Sequence, residues 1–126
     1  MMEDPHAQSP AGDPLALQRL HRWGGEALQR KMIEMFLDRA PAQLAAARAA
    51  ANADDADGVR CVAHSLKTGA GQLGALSMQR LCEAAERRAE AGEGRSLTPL
   101  VRDLEGELER YRAWLHDSMG GGFTTP

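Results

Sequence analysis

Apolar residues recur along most of the chain at three- and four-residue steps, and no segment reads convincingly as a strand. Asp13-Pro14 has the form of a helix start, an acceptor side chain followed by proline at the first helical position. A short helix from Leu15 to Arg22 follows and ends near Gly24-Gly25. From Glu26 to Arg39, Leu28, Met32, Met35 and Phe36 repeat at helical steps, and Pro41 is expected to begin another, alanine-rich helix to about Ala51, anchored by Leu44. The polar stretch Asn52 to Asp57 predicts a turn whose aspartates suit the positive end of the next helix.

The clearest pattern lies between about Asp55 and Leu73. Val59, Ala63, Leu66, Ala70 and Leu73 form a narrow seam of the kind that packs helices into bundles, and Gly74 supplies a stop. The next helix, about Ala75 to Ala91, places Met78, Leu81, Cys82, Ala85 and Ala89 on one face and charged residues on the other. Gly92 and Gly94 break it. A last helix, starting near Ser96 to Pro99, carries Leu97, Leu100, Val101, Leu104, Leu108, Tyr111 and Leu115. The fold class this predicts is all-α: an antiparallel four-helix bundle with a short flanking N-terminal helix. The expected domain spans residues 13–118, between tails at 1–12 and 119–126 that lack a periodic apolar pattern and are expected to be mobile.

Composition narrows the class. The chain has 126 residues, enough for one domain with its own core, and 43% of them are hydrophobic. Aromatics are 4%, so aliphatic side chains and alanine must fill the interior. A net charge of -3 argues against a broad nucleic-acid footprint. No apolar run approaches the roughly 20 residues of a membrane span, and the N-terminus lacks the order of a signal peptide. A soluble, cytoplasmic protein is expected, with Cys61 and Cys82 as free thiols.

On a helical wheel with the seam at zero, His64, Lys67, Thr68, Gly71 and Arg60 fall on one stripe, roughly 80° to 180° away. His64 therefore faces water, with a lysine one turn on. Gly69 and Gly71 lie within the helical pattern, where each costs about 1 kcal/mol relative to alanine. They mark either an early helix end beside an ordinary surface histidine, or a place where a partner backbone comes close to His64.

The run His64-Ser65-Leu66-Lys67-Thr68-Gly69-Ala70-Gly71-Gln72-Leu73-Gly74-Ala75, followed by Leu81-Cys82-Glu83, resembles the signature of the histidine phosphotransfer (HPt) domain family. Phe36-Leu37, Ala40-Pro41, Leu44 and the acidic turn add to the likeness, which covers roughly residues 26 to 115. Thr68 departs from it, since the family most often has glycine there. The resemblance implies that His64 accepts a phosphoryl group from a receiver-domain aspartate and passes it to another receiver in a two-component phosphorelay. It further implies that Lys67 helps hold the phosphoryl oxygens, and that Arg60, Thr68 and Gly71 belong to the receiver-docking face. Magnesium would be held by the receiver, so this chain needs no cofactor or metal of its own. No phosphate-binding loop is present, so a phosphocarrier without ATP-dependent kinase activity is expected.

Glu86, at the flank of the following helix's apolar face, is placed either to accept a hydrogen bond from the second ring nitrogen of His64 or to stand solvated. Leu15, Leu17 and Leu20 serve equally as a docking patch or as packing. His6, His21 and His116 are isolated and support no metal site. The competing reading is a helical adaptor that binds a receiver or kinase without being phosphorylated. With no extra apolar seam left over, a monomer is expected.

Overall fold

Asp13 opens the first helix as its sequence dictates: Oδ1 accepts from the Leu15 amide at 3.0 Å, and Pro14 follows in the first turn. The computed structural model describes residues 10–119. Within them lie four α-helices: α1 Pro14–Asn52, α2 Ala56–Gln72, α3 Leu76–Glu90 and α4 Thr98–Met119, with a 3-10 turn Arg95–Leu97 leading into α4. No strand occurs among the described residues.

The short N-terminal segment forms the first limb of α1 and breaks from the rest at Gly25, where the sequence places its end; the φ of 77° and ψ of -175° there are non-helical and open only to glycine without strain. Beyond Gly25 the helix departs from expectation in two ways. Pro41 starts no new helix; it lies inside α1 at an exposed position, where water can serve the carbonyl it leaves without an amide. The buried face is Ile33, Phe36, Leu37, Ala40, Leu44, Ala47 and Ala51, while Met35 is exposed and Met32 and Leu28 are half-buried. The buried series keeps helical steps straight through Pro41 into the alanine run. The methionine series has no continuation there, so it cannot face the core along the whole helix.

The other helices bury the faces their spacing predicts. Asp55 caps α2, its Oδ1 accepting from the Gly58 amide at 3.0 Å. Every seam residue from Val59 to Leu73 is buried, as are the apolar faces of α3 and α4. Gly74 (φ 71°) and Gly92 (φ 84°) turn the chain after α2 and α3. Tyr111 is the central polar anchor: its hydroxyl donates to the Leu73 carbonyl at 2.6 Å, and its ring meets Phe36 edge-on with centroids 6.0 Å apart. Arg48 on α1 pairs with Glu105 on α4 at the surface.

Packing begins ahead of residue 13. Ala11 is buried, the Ser77 hydroxyl donates to the Pro10 carbonyl at 3.3 Å, and Gly12 lies so close to the Trp114 indole that an added Cβ would sit 2.3 Å from it. Residues 1–9 and 120–126 of the expected tails fall outside the described residues. Cys61 is exposed and Cys82 buried, both as free thiols, and burial pushes the Cys82 thiol up to about 12. No helix among the described residues is long and apolar enough to cross a membrane.

Candidate functional site

The seam that anchors α2 leaves its opposite side to solvent, and His64 stands there with 66% of its side chain exposed. Glu86 reaches it from α3, with Oε2 3.2 Å from His64 Nδ1. An ionised carboxylate only accepts, so this contact requires a proton on Nδ1; a neutral ring then keeps its lone pair on Nε2. The other Glu86 oxygen, Oε1, is closed off from solvent and makes no aligned hydrogen bond; the Lys67 ammonium stands against it at 2.7 Å as an ion pair. Glu86 is 13% exposed and Lys67 30%.

The electrostatics follow from that contact. The Lys67 ammonium holds the Glu86 carboxyl below its usual range, burial works in the opposite direction, and the His64 hydrogen bond lowers it further. Lys67 is raised by the same pairing, against a smaller effect of burial. Glu86 is therefore a carboxylate at neutral pH, shared between an imidazole and an ammonium. Lys67 is one turn from His64 as its spacing requires, but its ammonium is turned towards α3.

The other stripe residues divide. Arg60, half-buried, is engaged with Asp57 on its own helix, Nη2 to Oδ1 at 2.7 Å. Thr68 is exposed, and its hydroxyl leans back towards the His64 carbonyl at 3.4 Å. Gly71 is half-buried beside α3, where a Cβ would meet the Gln79 amide at 3.3 Å. Gly69 faces the other way, into Phe36, with a Cβ position 3.0 Å from Cδ1. Both glycines thus sit inside a continuous helix at close approaches to neighbouring elements, and neither ends α2.

Gln79 was not singled out by spacing, although its position was available: if His64 faces Glu86, helix periodicity sets Gly71 opposite residue 79. Gln43, whose amide donates to the Ser65 hydroxyl at 3.1 Å, flanks the site from α1 and carried no such signal. Of the three leucines on the first limb, Leu17 is buried, Leu20 is half-buried against the core and Leu15 is 61% exposed, so packing takes the first two.

The described residues form a helical bundle on which the His64 imidazole stands in solvent, with a carboxylate and an ammonium against its inner side. The family model for the Hpt domain matches residues 31–114, well over half of the chain and including His64, Lys67 and Glu86. The chain belongs to the Hpt domain family. Membership ties it to phosphorelay signalling, in which Hpt domains generally meet receiver domains. No curated protein and no solved structure gives a significant match.

Proposed function

We propose that this protein is the phosphocarrier of a multistep two-component phosphorelay, taking a phosphoryl group on His64 from one receiver aspartate and giving it to another. The contact between His64 Nδ1 and Glu86 carries the reading. It directs the Nε2 lone pair outward, where the phosphorus of an acyl phosphate can be approached in line. A bond forms from Nε2 to phosphorus as the phosphorus–oxygen bond to the receiver's aspartate breaks, and that electron pair returns to the aspartate carboxylate. Glu86 then compensates the positive charge on the ring. Reversal at a second receiver completes the relay.

Lys67 sits within a side chain's swing of the incoming phosphoryl oxygens, and Arg60, Thr68 and Gly71 line the face a receiver covers. The divalent cation that offsets phosphoryl charge resides on the receiver, and no ATP-dependent step belongs to this chain. Opposite-order pairing across α2 and α3, His64 with Glu86 and Gly71 with Gln79, supports an antiparallel bundle. A cytoplasmic monomer that binds receivers transiently, over a small interface, fits this role.

The test is phosphate uptake from a phosphorylated receiver. The unaltered protein should acquire acid-labile, base-stable phosphate, and His64→Gln should acquire none while keeping its helical content and Tm, since the imidazole is mostly in water. A receiver that binds without ever labelling His64 would make the chain a helical adaptor instead.

A further inference from the structure

The first limb of α1 lies wholly outside the segment matched to the Hpt family, yet it is fixed beside the end of the His64 helix. The Asp13 amide donates to the Gly74 carbonyl at 2.8 Å, and the buried Gln29 amide donates to the Leu17 carbonyl at 2.9 Å. Gly74 is approached so closely that a Cβ there would stand 2.7 Å from the Asp13 carbonyl and 2.8 Å from the Ala16 methyl. Ala16 and Leu17 are buried by this arrangement. Two large apolar side chains of the limb stand in solvent, Leu15 at 61% and Trp23 at 87% exposed, among the exposed polar and charged Gln18, Arg19, His21 and Arg22. Between limb and bundle runs a groove of about 270 Å³ lined by Ala16, Arg19, Leu20, Trp23, Met32 and Gln72.

Gln72 ties this groove to the reactive face. His64, Thr68 and Gln72 follow one another at four-residue steps, so Gln72 lies about 12 Å along the axis and about 80° around it from His64. A weak interface still covers about 600 Å² of each partner, a disc of roughly 14 Å radius. A protein centred over His64 therefore reaches the groove. The charge there also suits one kind of visitor. Arg19 lines the groove, and the limb from Pro14 to Gly25 carries Arg19 and Arg22 with no carboxylate, in a chain whose net charge is -3. A receiver's phosphoacceptor face is acidic, because an aspartate and carboxylates that hold a divalent cation cluster there.

We infer that the first limb of α1 is a docking arm for the receiver domain, with Trp23 as the anchor that selects among receivers. The inference rests on the phosphocarrier reading, and extends the receiver's footprint beyond the family's matched segment to a surface this chain supplies itself. Burying an exposed tryptophan in a partner's apolar border, with arginine at the rim, is the composition that dominates protein interfaces.

The experiment uses the whole protein and the receiver that, from a panel, donates phosphate to it fastest, with phosphoramidate as a small donor that needs no docking. Titrating that receiver in its unphosphorylated form should shift Trp23 emission to the blue, read in a Trp114→Phe background. Trp23→Ala should raise the receiver concentration for half-maximal transfer at least tenfold, and lower the ratio of receiver-driven to phosphoramidate-driven labelling by a similar factor. Arg19→Glu should do the same more weakly. Unchanged half-saturation in Trp23→Ala overturns the inference while leaving the carrier reading intact, whereas failure of His64 to label with either donor overturns the carrier reading itself. Trp23-dependent self-association in sedimentation, or Trp23-dependent binding to anionic lipid vesicles, would assign the groove to a second copy or to a membrane and likewise overturn it.

Discussion

His64 Nδ1 and Glu86 Oε2 stand 3.2 Å apart across α2 and α3, and the second oxygen of the same carboxylate holds Lys67 at 2.7 Å. One carboxylate thus contacts both a ring nitrogen of His64 and the Lys67 ammonium. Removing the carboxylate is expected to change the ring's proton arrangement and not only its orientation. In the unaltered protein, nitrogen NMR at high pH should show neutral His64 as the Nδ1–H form. Glu86→Ala should mix the two tautomers and slow phosphoramidate-driven labelling by several-fold, about 1 kcal/mol in the barrier. An unchanged nitrogen spectrum would leave Glu86 without a positioning role.

Acid should expose the same contact. Lys67 holds the folded-state Glu86 carboxyl below its ordinary value of 4.5, so the stabilisation is complete above that value. It is lost as pH falls below 4.5 and through the lower folded value, where the carboxylate takes up its proton. Glu86→Gln has no proton to take up. Its Tm should decline less steeply than that of the unaltered protein below pH 4.5, and parallel declines would contradict the assignment.

Lys67 can assist in two ways, by meeting the phosphoryl oxygens or by neutralising Glu86 beside them, and a double substitution separates these. Lys67→Ala should slow receiver-driven transfer about tenfold, the scale of 1 to 2 kcal/mol in the barrier. If the ammonium meets the phosphoryl group, adding Glu86→Gln should not restore the rate. Recovery in the double variant would confine Lys67 to shielding the carboxylate.

Much of this arrangement was legible from spacing, because α2, α3 and α4 each present a single unbroken apolar stripe. Val59 to Leu73, Met78 to Ala89 and Leu97 to Leu115 are buried in the order their steps dictate. Helix α1 was harder, since Met32 and Met35 compete with Ile33 and Leu37 for the same period, and alanines beyond Pro41 add little contrast. Only the position of α2 and α4 decides which series turns inward. The outward placement of His64 followed from the seam. That the Lys67 ammonium turns to α3 did not, because a long flexible side chain takes its direction from whichever carboxylate lies in reach. The docking of residues 10–12 has no local signature either: Gly12 on Trp114 is a contact between distant parts of the chain, and periodicity carries no trace of it.

The two glycines of α2, only two residues apart, should respond to alanine with opposite signs. Each substitution gains about 1 kcal/mol from helix propensity. At Gly69 the new methyl would stand 3.0 Å from Phe36 Cδ1 and 3.2 Å from Cε1. That ring is 9% exposed and held edge-on against Tyr111, so it has little room to give. Overpacking of this kind costs about 1 to 3 kcal/mol, more than the propensity gain, and Gly69→Ala should lower Tm by a few degrees. At Gly71 the nearest atom, 3.3 Å away, is the end of the Gln79 side chain, which can rotate aside. Gly71→Ala should therefore hold or raise Tm. Its effect on transfer then reports on docking alone: slower labelling by a receiver with normal labelling by phosphoramidate would show that the partner needs this space. Gly71→Leu should magnify that contrast, and Gln79→Ala alone should not reproduce it. Thermal melts of the two alanine variants moving in the same direction would mean that Phe36 yields more easily, or Gln79 less, than their packing implies.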